Sequence, residues 1–548
     1  MPTVSAHVAL TLAQHIDAVF GVMGNGNAYF LDAIETQTEA VFTAVRHEQG
    51  AVVAADAHFR ASGRIAAGTS TYGAGFTNTL TALAEAVQAH VPLVLVVGDE
   101  PTSGPRPWDV DQIALASAVG ARTYTVGRAD AAATTVIAIE HALTYRVPVV
   151  LAIPYDVAAL EAGPVPEAPA PRLPAPLAPR GEFADGMLDE IAAALAQAQR
   201  PFLLAGRGAW LAGASAALGT LAEATGALTA SSALGRGVFP DDRYDLGVTG
   251  GFGADGAMEL VRTADVAVVF GASLNQFTMR FGELFAPGTR VFQIDIAPAA
   301  THAHVGGFVR ADARIAAEGL VAWIATRSSR PWRESVDVAA ARAYAPGDEL
   351  APDGRVDPRS AARRIAALLP EDRVVVSDGG HFIGWANMYW PVAAPDRMMM
   401  IGTAFQSIGQ GWPSVVGAAL ARRDSTIVLT SGDGGGLMAI ADLESAVRAA
   451  GGRGLAVIWN DAAYGAEINL YGLKGLAQGP MRIPEVDFAA FGAAVGAEGV
   501  VVRALGDLDR LGDWAAEDAA TRRFLVLDLR ISGDVIAPYQ QEIIRVNS

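Results

Sequence analysis

Short apolar runs alternate with alanine-rich segments along most of the chain, and this alternation limits the fold more than any other feature of the sequence. The runs are continuous and rich in β-branched residues, which is typical of strands buried on both faces. In chain order they form three groups: VFTAV, RIAAGT, VPLVLVVG and VPVVLAI; then RPFLLAG, DVAVVFG and RVFQIDI; then RVVVSDG, STIVLTSGD, GLAVIWN and RFLVLDL. Buried strands separated by helices predict an α/β protein with mostly parallel sheets flanked by helices.

The length of the chain and two connecting segments predict three domains. A chain of 548 residues is too long for a single hydrophobic core. Residues 161–183 are so rich in proline that neither a helix nor a central strand is expected there. A second polar stretch, residues 327–360, reads as a connector with one short helix. We therefore expect domains at residues 1–162, 183–326 and 355–548.

The composition argues against several classes of protein. A formal net charge of −18, with no basic cluster, disfavours binding to nucleic acid or to an anionic membrane surface. The absence of cysteine excludes disulfides, thiolate metal ligands and a cysteine nucleophile. No apolar run approaches the ~18 residues of a membrane span, and the N-terminus lacks a signal-peptide pattern. We expect a cytoplasmic protein without nucleic-acid or membrane partners.

The stretch IVLTSGDGGGLMAI, residues 427–440, ends a predicted strand in glycines and one carboxylate, Asp433. Ligands of open parallel sheets bind beyond the carboxyl ends of the strands. There Gly432, Gly434 and Gly435 would let a ligand approach the backbone, and the predicted helix LMAIADLESAVRAA would attract an anion to its N-terminus. A diphosphate fits this position, but beside Asp433 it needs a divalent cation. An ordinary tight turn is the alternative interpretation.

Two further oxygen ligands follow one helix and one strand later. The predicted strand GLAVIWN ends at Asn460, whose side-chain oxygen can bind a cation. The main-chain carbonyl of Ala462 lies two residues further on and can add a third oxygen. Because neighbouring parallel strands end at the same edge of a sheet, the spacing brings Asn460 close to Asp433.

The segment GDGGGLMAIADLESAVRAAGGRGLAVIWND resembles the metal-diphosphate motif of thiamine-diphosphate enzymes. Nearly the whole chain resembles their acetolactate synthase, pyruvate oxidase and benzoylformate decarboxylase branch. The resemblance implies a pyrimidine-binding first domain, a central domain of modified dinucleotide-binding type and a diphosphate-binding last domain. It also implies thiamine diphosphate and Mg²⁺ as cofactors, with Asp433, Asn460 and the Ala462 carbonyl as the metal ligands.

The segment VFTAVRHEQG resembles the His-Glu-x-Gly pattern of the same family, which implies that Glu48 is a catalytic and cofactor-binding residue. In that role a buried Glu shares a proton with the pyrimidine ring, and the cofactor then removes its own C2 proton to form an ylid. Taken alone, Glu48 is also explained as a first-turn acid that the helix dipole favours.

The resemblance assigns several more residues to the site. Asn25, His381 and Glu467 are implied to be catalytic, and the further cofactor contacts are Gly24, Asn78, Ile408, Tyr464 and Gly465. Ile408 would support the cofactor in a bent shape, whereas Tyr464 and Glu467 would form a wall of the substrate pocket. Asn25, Ile408 and Glu467 also have plain explanations, as a turn residue, a core residue and a solvated residue.

The sequence departs from the family pattern in three places. Ala74 replaces a proline in TYGAGFTNTL, and no histidine pair is present in SGPRPWDVDQIALASAVG, which leaves Asp109, Asp111 or Gln112 for proton relay. The central segment GASLNQF differs from the pattern of relatives that contain FAD. We therefore expect no bound FAD.

Together these features predict a thiamine-diphosphate- and Mg²⁺-dependent 2-oxo acid decarboxylase or carboligase, a lyase or transferase. The ylid attacks the small-molecule 2-oxo acid, CO2 leaves, and protonation or C–C ligation follows. The alternatives are acetolactate synthase proper, whose Arg and Trp after the metal Asn are missing here, a C–C bond hydrolase acting on a diketone, and a non-catalytic cofactor-binding relative. Because Glu48 and Asp433 lie in different domains, the resemblance implies a homodimer or homotetramer with sites between subunits.

Overall fold

The computed structural model describes residues 2–167, 169–324 and 331–547. These residues form three six-stranded sheets, and neighbouring strands within each sheet run parallel. Helices flank all three sheets. The predicted α/β class with three parallel-sheet domains is confirmed.

The first sheet has the strand order β2-β1-β3-β4-β6-β5. Its strands are β1 Ala18–Gly21, β2 Val41–Ala44, β3 Ala67–Ser70, β4 Leu93–Asp99, β5 Arg122–Thr125 and β6 Pro148–Pro154. Its helices are α1 Val4–Leu12, α2 Ala28–Gln37, α3 Glu48–Ser62, α4 Ala74–Thr77, α5 Leu80–Gln88, α6 Gln112–Ala118 and α7 Ala131–Tyr145. The central strands β4 and β6 are buried along their whole length, as continuous apolar runs require.

The second sheet has the order β12-β11-β10-β7-β8-β9. Its strands are β7 Pro201–Ala205, β8 Leu228–Ser231, β9 Asp245–Val248, β10 Val266–Phe270, β11 Arg290–Asp295 and β12 Val305–Arg310. Its helices are α8 Glu182–Gln197, α9 Arg207–Leu211, α10 Ser215–Thr225, α11 Asp255–Arg262 and α12 Ala313–Trp323. The short helices α13 Pro331–Glu334 and α14 Val338–Ala341 lead to the third sheet.

The third sheet has the order β14-β13-β15-β16-β18-β17. Its strands are β13 Arg373–Ser377, β14 Met398–Met400, β15 Thr426–Gly432, β16 Gly454–Asn460, β17 Glu498–Val502 and β18 Leu525–Arg530. Its helices are α15 Pro358–Leu368, α16 Ile383–Tyr389, α17 Gly411–Ala421, α18 Asp433–Met438, α19 Leu443–Ala450, α20 Gly465–Glu467, α21 Phe488–Ala494, α22 Asp509–Ala516 and α23 Pro538–Asn547.

A shared core joins the first and third sheets. Helix α3 of the first domain crosses helix α17 of the third, and both are almost entirely buried. At the crossing Gly417 lies directly against the main-chain carbonyl of Ala54, so that a side chain at 417 would collide with it. This contact fixes the helix that begins at Glu48 against the sheet that ends near Asp433.

The structure corrects the predicted segmentation in three places. Strands β1, β5, β8, β9, β12, β14 and β17 were not predicted, because they are short or contain polar or small residues. The helix predicted to start at Leu437 instead starts at Asp433, and a non-α-helical break separates α18 from α19. The second connector contains two short helices, and its residues 327–330 lie outside the described part of the chain.

The proline-rich connector contains no helix in its described residues before Glu182. The three sheets span residues 18–154, 201–310 and 373–530, and the domain boundaries at 162, 183, 326 and 355 stay predictions. Within the described ranges, every helix is too short or too polar to cross a membrane.

Candidate active site

Asp433 lies at the carboxyl edge of the third sheet with both carboxylate oxygens unpaired. Strand β15 ends at Gly432, and α18 begins at Asp433 itself, whose side chain is buried. Neither oxygen has a hydrogen-bond partner among the described residues. A buried polar group without a partner is costly and calls for an explanation such as a ligand or an ion. The predicted position of Asp433 at a strand end is correct.

Asn460 lies at the end of the neighbouring strand β16, and its side-chain oxygen is likewise buried without a hydrogen-bond partner among the described residues. Its amide nitrogen donates to the carbonyl of Val486 at 3.0 Å and to Oδ1 of Asp528 at 2.9 Å. Both donors are therefore used, and the amide cannot flip without losing them. Its oxygen Oδ1 is buried and has no partner in the described part of the chain. The donor set of Asp433 and Asn460 consists of hard oxygens, which fits a divalent cation such as Mg²⁺.

The third predicted ligand, the carbonyl of Ala462, is in a strained segment. Ala462 has φ of +58°, a conformation that non-glycine residues rarely adopt. Its carbonyl accepts a hydrogen bond from the N–H of Ile483 at 2.9 Å. A carbonyl oxygen has two lone pairs, so one is left for a cation. Strain of this kind clusters at ligand sites, which agrees with the predicted role.

Burial raises the pKa of Asp433 to about 7, and the nearby Asp461 carboxylate adds to the rise. The same low-dielectric surroundings would strengthen the attraction of a cation for the ionised carboxylate. Asp461 itself accepts a hydrogen bond from Nε2 of His381 at 2.8 Å. Burial opposes a charge on His381, but Asp461, with smaller contributions from Asp433 and Glu467, outweighs that effect and the pKa of His381 is raised.

The glycines after β15 are required by close packing. A Cβ on Gly432, Gly434 or Gly435 would lie 2.6–2.8 Å from the side chains of Phe382, Tyr464 and Asp378, respectively. Glycine at these positions is therefore required by packing, in addition to the predicted need for a ligand to approach the backbone. The predicted contact residue Tyr464 lies beside this loop, and its contact with a cofactor stays a prediction.

Ile408 extends from a loop that a buried carboxylate holds in place. Oδ1 of Asp378 accepts the N–H groups of Gly379, Gly409 and Gln410 at 2.8–3.1 Å. The side chain of Ile408 lies close to Gly435 and is 38% exposed. Ile408 is therefore not a core residue in the single chain, and the cofactor-supporting role is the interpretation that its exposure favours.

Glu48 is the first residue of α3 and lies at the carboxyl edge of the first sheet. Its Oε2 accepts a hydrogen bond from the Asn78 side chain at 2.9 Å, and Gly75 lies beside its other oxygen. The structure therefore brings together the predicted residues Glu48 and Asn78. Glu48 is half-buried in the single chain, which is less burial than we expected from the sequence.

The turn after β1 contains two asparagines, of which Asn27 is buried and holds the turn together whereas Asn25 is exposed. Asn27 is buried, accepts the N–H of Gly24 at 2.8 Å and donates to Val22 and Thr69. Asn25 is exposed at the same edge, where its side chain is available to a ligand. The predicted pair of Gly24 and Asn25 is thus held in place by an asparagine that the sequence analysis did not single out.

The remaining predicted residues follow β16. Gly465 lies against the imidazole of His381, because a Cβ there would be 2.5 Å from Nε2. Glu467 is exposed, and a π-helix, Ile468–Gly472, follows it directly. π-helical turns are rare in proteins, and those that occur are often found at functional sites. The structure therefore brings His381 and Gly465 together, while Glu467 lies on the surface of the single chain.

Comparison with known proteins identifies the family. Three family models match: the N-terminal binding domain of thiamine pyrophosphate enzymes over residues 2–115, their central domain over 188–320 and their C-terminal binding domain over 378–529. The matches follow the three sheets in order. The chain belongs to the thiamine pyrophosphate enzymes. The predicted resemblance is confirmed, and thiamine diphosphate, the same compound under its other name, is the cofactor of the family.

Relatives of this thiamine pyrophosphate enzyme are distant in sequence. It is 27% identical over 451 residues to a probable acetolactate synthase large subunit of Methanocaldococcus jannaschii, covering 78% of this chain and 74% of that protein. It is 27% identical over 579 residues to a sulfoacetaldehyde acetyltransferase of Roseovarius nubinhibens, covering 100% and 94%.

A solved structure shares the fold. The thiamine diphosphate-dependent 4-hydroxybenzoylformate decarboxylase of Rhodococcus jostii RHA1 matches with a TM-score of 0.79 at 21% identity, and the match covers 97% of this chain and 99% of that one.

The three relay candidates of this thiamine pyrophosphate enzyme are hydrogen bonded within the first domain. Asp109 pairs with Arg106 through two contacts at 2.8 Å, and Asp111 caps α6. Gln112 is buried and bonds to the carbonyl of Gly98 and to the N–H of Gly73. These contacts give all three side chains structural partners, and a proton relay through any of them stays a prediction.

The central glycine-rich loop of the enzyme is also explained by packing. A Cβ on Gly206 or Gly208 would lie 2.5–2.8 Å from the carbonyl of Gly271 on the adjacent loop. The two loops therefore approach each other through their backbones, which requires glycine. The expected absence of FAD stays a prediction.

One functional residue was missed although the sequence contains a signal for it. Asp528 interrupts the apolar strand LVLDLR and is fully buried beside Asn460. A carboxylate inside a buried strand needs partners, and here the partners are Asn460, the N–H of Phe488 and Arg530.

Proposed function

We propose that this enzyme uses thiamine diphosphate and Mg²⁺ to act on a 2-oxo acid, with loss of CO2 followed by protonation or by ligation to a second carbonyl compound. The observation that carries the proposal is the set of buried, unpaired oxygens of Asp433 and Asn460 among the described residues, at the edge of the diphosphate-binding domain. When bound, the cofactor supplies an acidic carbon that adds to carbonyl groups and accepts the electrons released as CO2 leaves.

The third domain holds the metal and the diphosphate end in this proposal. Asp433, Asn460 and the carbonyl of Ala462 bind the cation, and the N–H groups at the start of α18 face the diphosphate. Asp528 keeps the oxygen of Asn460 directed at the metal, since it accepts one amide hydrogen at 2.9 Å. Ile408 supports the middle of the molecule.

The first domain acts on the ring. Glu48 holds a proton shared with the pyrimidine nitrogen, and the hydrogen bond from Asn78 at 2.9 Å fixes the rotation of its carboxylate. His381, hydrogen bonded to Asp461 at 2.8 Å, is the group that we assign to proton transfer with the substrate. Asn25 and Glu467 are exposed in the single chain and are assigned to the substrate side of the pocket.

The alternatives have less support. Acetolactate synthase proper is represented among the relatives, but the segment NDAAYGAEINLYG lacks the Arg and Trp that its second substrate requires. A non-catalytic role gives no reason for Glu48 to be held by Asn78. Diketone hydrolysis uses the same residues without CO2 release and is separated by the assay below.

The test is CO2 release from a panel of aliphatic and aromatic 2-oxo acids by protein loaded with thiamine diphosphate and Mg²⁺. We expect release from at least one acid, and a fall of ~100-fold or more in the isosteric variant Glu48→Gln, which cannot exchange the proton in the same way. Release that survives in Glu48→Gln, or carboxylate release from a diketone without CO2, would contradict the proposal.

A further inference from the structure

We infer that Asp442, in the third domain, is a positioning residue for Glu48 in the first: its carboxylate fixes the start of the helix that carries Glu48. The inference rests on the proposed function, because Glu48 must meet the cofactor ring at a defined distance and angle. It concerns a residue that contacts neither metal ligands nor Glu48 itself, and that acts through the backbone on both sides of Glu48.

One oxygen of Asp442 holds the backbone just before Glu48. Asp442 is 3% exposed, and its Oδ1 accepts the main-chain N–H of Arg46 at 2.7 Å. The same oxygen accepts the hydroxyl of Ser445 at 2.9 Å, which fixes the rotation of the carboxylate. Arg46 lies between the end of β2 and the start of α3, directly before the N-cap residue His47, so this bond fixes the backbone that enters the helix. At 2.7 Å the bond from Arg46 is at the short end of the range for N–H···O hydrogen bonds.

The other oxygen of Asp442 touches the backbone just after Glu48. A Cβ on Gly50 would collide with Oδ2, and it would also lie 3.3 Å from Pro413 of α17. Gly50 is inside α3 and has no positive φ, so the close approach of Asp442 is what requires glycine there. One carboxylate therefore contacts the chain two residues before and two residues after Glu48.

Two further contacts from the third domain hold the same segment. Arg448 donates to the carbonyl of Ala44 at 2.6 Å, and the side chain of Gln49 donates to the carbonyl of Gly409 at 3.3 Å. By contrast, the hydrogen bond to the Glu48 side chain comes from Asn78 of the first domain. The third domain thus positions the backbone at residues 44–50, and the first domain orients the carboxylate.

The break between α18 and α19 explains why Asp442 can reach this segment. The non-α-helical turn Ile440–Asp442 follows directly on α18, the helix that starts at Asp433. One continuous α-helix over residues 433–450 would have carried Asp442 in a different direction, because each residue turns the side chain by about 100°. A misplacement of ~1 Å at a catalytic group can cost ~100-fold in rate, so a small shift of the helix start is measurable.

The experiment compares three variants of the full-length protein. Asp442→Ala removes the acceptor, and Asp442→Asn keeps an oxygen that can still accept from Arg46. Glu444→Gln is the control, because it weakens the surface ion pairs to the side chains of Arg46 and Arg448 and leaves the backbone bond from Arg46 to Asp442 intact.

Two readouts are used. The first is amide hydrogen exchange of a peptide covering residues 46–52 in cofactor-free protein, measured by mass spectrometry. The second is the rate at which the C2 proton of bound thiamine diphosphate exchanges with deuterium, together with the Kd of the cofactor. In Asp442→Ala we expect amide exchange at least tenfold faster and C2 exchange at least tenfold slower, with the Kd within threefold. Asp442→Asn and Glu444→Gln should stay within threefold of the parent protein.

The outcomes separate this inference from the proposed function. If the parent protein binds no thiamine diphosphate, both fail. If the parent exchanges its C2 proton and Asp442→Ala does so within twofold of that rate, or if Asp442→Asn falls as far as Asp442→Ala, only the positioning role is overturned. Should Asp442→Ala fail to fold, Gly50→Ala presses on the same carboxylate from the opposite side and must slow C2 exchange; unchanged exchange in that variant would overturn the inference.

Discussion

The negative charge of Asp433 is buried, so it reduces the stability of the metal-free protein. In our proposal the same charge is needed to bind a cation. Burial raises the pKa of Asp433 to about 7, well above the ordinary value of 3.8. Below about pH 7 the neutral form is therefore favoured in the folded, metal-free protein. The stabilising effect of that neutral form is complete below about pH 4 and is lost as pH rises through about 7.

The variant Asp433→Asn should therefore stabilise the metal-free protein at pH 8, because Asn fills the same volume without a buried charge. We expect a gain on the order of 2 to 4 kcal/mol at pH 8 and a smaller gain at pH 5. Scanning calorimetry of EDTA-treated protein at both pH values measures it as a rise in Tm. The same variant should no longer be stabilised by Mg²⁺ with thiamine diphosphate. An unchanged or lower Tm at pH 8 would contradict the assignment of a buried, unpaired carboxylate.

Asp528 controls the orientation of a metal ligand without touching the metal. It accepts one of the two amide hydrogens of Asn460, so its loss would leave that amide held by the carbonyl of Val486 and less firmly oriented. Asp528→Ala should weaken Mg²⁺ binding in the presence of thiamine diphosphate by 10- to 100-fold, a range typical of partners of metal ligands. Titration calorimetry measures the change, and Asp518→Ala, at an exposed turn, is the control. Equal affinity for Mg²⁺ in Asp528→Ala and the parent protein would contradict the role of Asp528 in orienting Asn460.

At the residue scale, the sequence predicts the relative positions of side chains that are separated by whole helices and strands. Asp433 and Asn460 end two adjacent buried strands, so the pattern alone brings them together. Asp442 and Asn27 act through contacts with distant or irregular segments, which no spacing reveals. Asp528 lies between these cases, since its place in an apolar strand is visible in the sequence and its partner is not.

At the scale of elements, the crossing of α3 and α17 fixes the first sheet against the third within one chain. Gly417 permits the crossing because its missing side chain leaves room for the Ala54 carbonyl. Neither helix can move along the other without closing this gap. The contact is between main chains, so it is insensitive to the exact side chains around it.

Gly417→Ala should destabilise the protein by about 1 to 3 kcal/mol or more, because the new methyl group overpacks a buried crossing. Gly319→Ala is the matched control: Gly319 is also inside a helix, α12, but a Cβ there meets open space. Replacing a helical glycine with alanine in open space should stabilise by about 0.5 to 1 kcal/mol. Thermal unfolding of both variants tests the pair, and equal Tm values would contradict the described crossing.

The sequence predicts elements well where apolar runs are long. The runs VPLVLVVG and STIVLTSGD correspond to β4 and β15. It fails for β5, whose RTYT is a polar edge strand, and for β14, which has three residues. It also fails to place the break at Ile440–Asp442, because no proline interrupts the helical pattern there and the hydrogen bond of Asp442 to Arg46 joins residues far apart in the sequence.

At the scale of the whole molecule, large apolar side chains are exposed at the two edges that carry the site. They include Met23 and Trp108 in the first domain and Met438 and Leu473 in the third, each more than half exposed. Apolar exposure of this kind marks surfaces that bind a partner. We propose that a second copy of the chain covers them in a homodimer or homotetramer, with Glu48 and Asp433 of different subunits in each site.

Mixing two inactive variants tests this arrangement. A heterodimer of Glu48→Gln and Asp433→Asn subunits would contain one intact site and one doubly altered site if the two halves come from different chains. We then expect roughly half of the parent activity in heterodimers purified by two affinity tags. If one chain supplied both halves, each site would contain one substitution, and the heterodimer would be as inactive as the Glu48→Gln or Asp433→Asn homodimer. Light scattering gives the subunit number in the same samples.

Titration calorimetry with thiamine diphosphate tests the central claim most directly, namely that Asp433 and Asn460 hold the cofactor through a divalent cation. EDTA-treated protein should bind the cofactor only weakly without metal and tightly after addition of Mg²⁺. The variant Asp433→Asn should show no gain from Mg²⁺ while keeping its folded state by circular dichroism. Tight binding that is independent of Mg²⁺, or a Mg²⁺ effect that persists undiminished in Asp433→Asn, would contradict the account.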